Sequence, residues 1–350
     1  MSETATKKRV PVKRWIILGL IALGIYAAFL GPTFLRPVAP VVVLPSEPTG
    51  INIFGFEITN TILATLLADI VLLILAFNAW RFAKSGNLVP SGVHNFFEML
   101  VEMFWNMAEG SAGKWARRFF PITGTIFLLV FTANMIKLVP GFESIGRIAE
   151  SPHGEGYAPV QLIPGFLYSI DKGKPIHLEH SQGEGETHVV ESEAAGAPCT
   201  ACEIIPFLRG SATDLNFTLA LAVVTVIMVQ VFGVMAIGPG YFEKFLQFRR
   251  LVNGGPFGII DFLVGFLEII LEFAKIISFT FRLFGNIFAG ALLLSIIGAL
   301  TAVAIPAGLY IFEVFFGIIQ AYVFSLLALV FMSQAVAGHH GGEAEGAEAH

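Results

Sequence analysis

The sequence predicts an all-α polytopic membrane protein with five or six membrane helices and an interfacial amphipathic helix, the last two membrane helices being unusually long. Two properties carry that prediction. Of 350 residues, 55% are hydrophobic and only 13% charged, whereas a soluble domain is about 45–50% apolar and about 25% charged. Mean hydropathy is +0.75, and the apolar residues fall in runs of the length that crosses a bilayer, about 20 residues. So few charges do not cover a water-facing surface. The net charge of −5 argues against a nucleic-acid binder, and two cysteines against a disulfide scaffold.

Taken in order, residues 1–36 hold a basic stretch, KKRVPVKR, followed by the apolar run Trp15–Leu35. This pattern fits a cleaved signal peptide and a retained signal anchor alike. Residues 37–141 hold an extracytoplasmic segment, the span Thr59–Trp80, an amphipathic stretch and the span Phe120–Pro140. Between Val89 and Arg118, apolar residues recur at helical spacing but are interrupted by Glu98, Glu102 and Glu109, which predicts a helix lying along the cytoplasmic interface. Residues 142–205 form an acidic loop. Residues 206–335 hold the spans Asp214–Ile237, Phe257–Leu300 and Ile305–Gln334, and residues 336–350 a His- and Gly-rich tail expected to be disordered and solvated.

Charge sets the expected topology. The basic residues cluster at Lys7–Arg14, at Arg81 and Lys84, at Lys114, Arg117 and Arg118, and at Lys244, Arg249 and Arg250. From Phe142 to Ile205, by contrast, ten acidic residues face only three basic ones, Arg147, Lys172 and Lys174. With the N-terminus inside, alternate crossings place every basic cluster in the cytoplasm, the acidic loop outside and the C-terminus inside, as the positive-inside rule requires.

Ionisable residues inside a span are costly and are functional candidates by default. At about 100° per residue, with Glu268 at zero, Glu272 falls at about 40°, Lys275 at about −20°, Arg282 at about −40° and Asn286 at about 0°. These five share one stripe, expected to face protein or an aqueous path. Glu272 and Lys275, three residues apart, either neutralise each other or line that path, and Asn286 has the option of bonding Arg282 one turn away. Arg282 lies deep in its span with no acidic residue within one turn, and a guanidinium does not deprotonate to escape burial. It therefore calls for a counter-charge from elsewhere. The last span carries Glu313 and Gln320, seven residues apart on one face, and Gln334 near its end. Glu268 lies about 21 Å along its helix on the cytoplasmic side of Arg282, and Glu313 about 10 Å outward of Gln320. With Gln320 beside Arg282, carboxylates flank a single buried cation with no continuous polar line past it, the arrangement that two offset half-channels need.

The segment FRLFGNIFAG (Phe281–Gly290) closely resembles the signature of subunit a of the F-type ATP synthase. GSATDLNFTLALAV (Gly210–Val223), IFEVFFGIIQAYVF (Ile311–Phe324), LVPSGVHNFFE (Leu88–Glu98) and FTANMIKLVPG (Phe131–Gly141) resemble further landmarks of that family in the right order. The resemblance runs from Ile51 to about Gln334, apart from one loop. It implies an ion-conducting stator in the inner membrane of a bacterium, whose last two helices are steeply tilted against a ring of c subunits. Its other partners would be the subunit b peripheral stalk, membrane lipid and the rest of the ATP synthase. Arg282 matches the arginine that faces each ring carboxylate. The resemblance assigns the outer path to Glu313 and Gln320, the inner path to Glu268 and Ser278, a part in proton translocation to Asn286, and secondary roles to Glu272, Lys275, Asp214 and Asn216. It implies no cofactor and no bond chemistry in this chain. Two departures stand out. Ala291 occupies a position where some relatives carry Glu or His, and Glu313 stands where others have His, so Glu313 would carry the outer relay alone. The second departure is the length of the acidic loop.

That loop contains His153, His177, His180, His188 and the pair Cys199 and Cys202. The cysteines are open to a disulfide, favoured in an extracytoplasmic setting, to a metal site, or to neither. A competing functional class is a proton-coupled secondary transporter, which also places charges in the membrane but usually shows inverted repeats. None is visible in the sequence.

Overall fold

The computed structural model describes residues 46–337, apart from residues 54, 86–91, 140, 144, 151–154, 164–166, 178–198, 200, 246–254 and 302–303, together with short pieces between 15 and 26. The choice between signal and span for the first apolar run, the first basic cluster, Arg249, Arg250, His153, His180, His188 and the tail lie outside the described residues. The helices are α1 (Asn60–Lys84), α2 (Val93–Ala112), α3 (Ala116–Ile136), α4 (Leu215–Ile237), α5 (Gly255–Thr301) and α6 (Ala304–Ala337). Among the described residues, four stretches are long and apolar enough to cross a membrane: Asn60–Lys84, His94–Ile136, Leu215–Phe242 and Ile305–Ala337. The chain is a helical, multi-pass membrane protein. At 47 and 34 residues, α5 and α6 run about 70 Å and 51 Å, longer than a perpendicular crossing needs.

The chain divides into two compact units. One comprises residues 44–139, 209–288 and 314–350, and its core is built from Phe104, Phe127, Val130, Leu283, Phe324 and their neighbours, all fully or nearly fully buried. The hairpin β1 (Pro48–Ile53) and β2 (Phe56–Thr59) leads directly into α1. Thr59 caps that helix by accepting a hydrogen bond from the Ile62 amide. Gly113, at φ 51°, ends α2 in a left-handed conformation that a side chain resists, and α2 folds back along α3. Phe96 meets Phe131 at 6.4 Å, Phe104 stacks on Phe127 at 5.1 Å, and Trp105 meets Phe120 edge-on at 5.0 Å. The apolar stripe predicted for this segment is thus taken up largely by α3, while Glu98, Glu102 and Glu109 are exposed on the other side.

The starts of α1 and α4 are tied by a buried hydrogen bond, the Thr61 hydroxyl donating to Asp214 Oδ2 at 2.7 Å. Two spans separated by one intervening span must begin on the same side, and this contact requires the same. At the other ends, the Ser333 hydroxyl of α6 donates to the Ser111 carbonyl of α2 at 3.1 Å.

The second unit comprises residues 1–43, 140–208 and 289–313. Its antiparallel sheet has the order β3 (Gly146–Glu150), β6 (Cys202–Pro206), β4 (Glu155–Ile163), β5 (Leu167–His177). Tyr157, Ile170, Ile148 and Ile204 pack over the joined Cys199 and Cys202, whose Cα atoms are 5.5 Å apart. Of the three alternatives open to these cysteines, the structure contains the disulfide. Gly156 is the point of closest approach, since a Cβ there would lie 2.5 Å from the Ala201 carbonyl carbon. This sheet, like the β1–β2 hairpin, is a part of the fold that helical periodicity did not foretell.

Candidate functional site

The site residues are placed by how α5 and α6 face each other. In the unit that holds the helical core, Phe279, Leu283 and Ile287 form the buried face of α5, and Ala321 and Phe324 that of α6. Phe279 meets Phe324 edge-on at 4.8 Å. This contact turns the polar stripe partly aside. Glu272 is buried, Asn286, Glu268 and Lys275 are half-buried, and Arg282 and Ser278 are exposed on the outer surface of the chain. Arg282 stands at the edge of the packed face, among the exposed Phe273, Ile277 and Phe281. Among the described residues, no hydrogen bond or salt bridge reaches its guanidinium. The option of an Asn286–Arg282 bond is not taken: the Asn286 amide instead donates to Gln320 Oε1 at 3.0 Å. Packing decides this, because Ile287 and Leu283 turn that side of α5 toward α6, where the buried Gln320 waits. Gln320 Nε2 is itself buried without a partner.

Next to this pair lies Asn134 of α3, 1% exposed, whose amide donates to the Gly317 carbonyl at 3.2 Å. A side chain at Gly317 would put a Cβ 3.2 Å from Asn134 Cβ and 3.0 Å from Met135 Cε, so the missing side chain is what brings α3 and α6 together here. Asn134 was legible by the rule applied to α5, a buried amide in an apolar span, but was read only as part of a landmark. Asp69, half-buried nine residues into α1, went unread by the same rule.

The second polar group lies at the other end of α5. A short helical turn after α4, Gly238–Lys244, brings Lys244 Nζ to 3.3 Å from Glu272 Oε1 and 3.5 Å from Glu268 Oε1, while Lys275 Nζ sits 3.0 Å from Glu272 Oε1. Glu272 and Lys275 do neutralise each other, with Lys244 as a further partner. The ammonium of Lys244 also donates to the Tyr241 hydroxyl at 2.8 Å. Burial alone would lower the Lys244 value. The Tyr241 hydroxyl and the Glu272 carboxylate outweigh it and hold the ammonium above the ordinary lysine range. Sequence reasoning used Lys244 only as a marker of topology.

Asp214 caps α4, its Oδ1 accepting from the Asn216 amide at 2.9 Å and its Oδ2 from Thr61. Both carboxylate oxygens are therefore engaged in holding helix ends, and the Asn216 side chain is exposed. In the other unit, Glu313 lies against Gly290, where a Cβ would come within 2.8 Å of Glu313 Oε1. Among the described residues no group of three or more His, Cys, Asp or Glu is arranged to hold a metal.

The arrangement is a long helix that presents outward an arginine with no partner among the described residues and buries amides and ion pairs on its other sides. The family model of the ATP synthase A chain matches residues 62–333. The chain belongs to the ATP synthase A chain family. Membership makes it a component of the membrane sector of that complex, and the matched range includes every residue of the two polar groups described above, along with Glu313 and Asp214.

Proposed function

We propose that this chain is the ion-translocating stator of the ATP synthase membrane sector, giving a ring of c subunits two offset half-channels and coupling proton flow to rotation. The observation that carries the reading is Arg282: an exposed guanidinium on a long membrane helix, without a partner among the described residues. Exposure to lipid would cost about 2.5–3.5 kcal/mol or more. A carboxylate on an adjacent moving subunit supplies the missing charge, and a carboxylate facing Arg282 favours its ionised form. On this reading a proton from outside passes Glu313, then the Gln320 and Asn286 amides, and neutralises a ring carboxylate that then turns into lipid. After nearly a full rotation the carboxyl reaches the inner path at Ser278 and Glu268 and releases its proton to the cytoplasm. The charge of Arg282 blocks direct passage between the two paths. The membrane potential acts on each transferred charge with about 2.3 kcal/mol per 100 mV.

The expected surroundings are the bacterial inner membrane, with the acidic loop outside and the C-terminus inside. The expected neighbours are the c ring, the subunit b stalk and lipid. Asp214 and Asn216 serve mainly to hold helix ends. The test is ATP-driven proton pumping by vesicles carrying Arg282→Ala. Pumping should fall to background while the complex assembles and a small hydrophobic ring subunit co-purifies. Normal coupled pumping by an assembled variant would overturn the reading.

A further inference from the structure

Glu268 and Glu272 stand one helical turn apart on α5 but are not equivalent. Glu272 is 8% exposed and has two cations within 3.3 Å, Lys244 and Lys275. Glu268 is more open, its side chain 32% exposed, and among the described residues its cation is Lys244, at 3.5 Å. A single ammonium therefore spans both carboxylates, and it reaches them from a different segment, the turn that follows α4.

That turn is fitted closely. A Cβ at Gly233 of α4 would fall 2.3 Å from the Tyr241 ring, and one at Gly265 of α5 would fall 2.7 Å from the Phe245 carbonyl oxygen. Two glycines thus let the turn press onto both helices and deliver Lys244 to its place. The Tyr241 and Phe245 rings flank the ammonium, with their centroids at 4.3 Å and 4.4 Å. Its charged and polar surroundings are Tyr241 on its own turn, Glu268, Glu272 and Lys275 on α5, and Gln230 on α4 beside Glu272. Lys275 is held in turn over the Phe331 ring of α6 at 5.1 Å.

We propose that Lys244 is a positioning residue for the inner path, its ammonium holding the Glu268 carboxylate in place, while Glu272 with Lys275 forms the fixed anchor that keeps Lys244 in reach. The proposal rests on the reading that Glu268 lies on the inner path. Glu272, held by both Lys244 and Lys275, fixes where the Lys244 ammonium stands.

A pH profile that moves when the charge is lost and returns with arginine is not what a merely structural role produces. The experiment is ATP-driven proton pumping by the complete complex in vesicles, with the cytoplasmic-side pH varied at fixed pH on the other side and each rate divided by the uncoupled ATPase rate. Lys244→Gln should move the half-maximal cytoplasmic pH upward by about one unit, because a cation is removed from beside a carboxylate. Lys244→Arg should restore the wild-type profile. An unshifted profile for Lys244→Gln, with Glu268→Gln still reducing pumping, would overturn the inference and leave the inner path standing. Undiminished pumping by Glu268→Gln would overturn the inner path itself. Where Lys244→Gln fails to assemble, Lys244→Met, which keeps the length of the side chain and removes its charge, decides by the same shift, and an unshifted profile overturns the inference.

Discussion

Asp214 shows how one side chain serves two helices. Its Oδ1 caps α4 and its Oδ2 receives the Thr61 hydroxyl at the start of α1, and the group is 7% exposed. Thr61→Val keeps the shape but leaves a buried carboxylate oxygen unpaired, for which about 1–3 kcal/mol is expected. Thermal unfolding of the detergent-solubilised chain should show the lowered midpoint, and Thr61→Ser should largely restore it. Lys244 yields a pH prediction whose sign follows from its raised value. Stability from a raised lysine is fully present below the unfolded value of about 10.4 and is lost as pH rises through the folded one. The wild-type midpoint should therefore fall toward that of Lys244→Gln only in strongly alkaline solution. Equal pH dependence in the two proteins would contradict the pairing.

At the scale of elements, small residues decide which helices touch. Gly233→Ala would drive a methyl into the Tyr241 ring, and Gly317→Ala would press on Asn134 and Met135. Overpacking of this kind typically costs about 1–3 kcal/mol. We expect Gly233→Ala to be the worse of the two, since 2.3 Å to a ring allows no contact without movement, whereas Met135 Cε is the end of a flexible chain. Comparing the yield of assembled complex and its thermal midpoint checks the order, and equal effects would count against the close fit of the turn. The same logic explains α2. Its apolar stripe needed an apolar neighbour, and the left-handed Gly113 supplies the reversal that makes α3 that neighbour.

Across the whole molecule, the Cys199–Cys202 bond belongs to the sheet-bearing unit and the pairs around Arg282 and Lys244 to the other. Replacing both cysteines with serine should loosen the sheet, by about 2 kcal/mol on the loop-entropy scale, and raise proteolytic cleavage within residues 142–205. Coupled proton pumping should stay near normal. A loss of pumping as large as that of Arg282→Ala would instead tie this loop to the ion path.

Composition dictates the membrane setting, because a chain so poor in charge has no other way to solvate its surface. The sequence also marked Arg282, Glu268 and Glu313, since a costly charge in an apolar run is visible without coordinates. Helical periodicity likewise revealed the shared face of α5. What periodicity leaves out is which side of that face a neighbour covers. Only the tertiary structure turned Arg282 outward while burying Glu272, and only it paired Asn286 with Gln320 and not with Arg282. It also brought Lys244 from a distant turn onto two carboxylates of α5 and set Asn134 against Gly317. These contacts join residues far apart in the chain through glycines whose value lies in the atoms they lack, and a linear pattern does not say which neighbour fills the space.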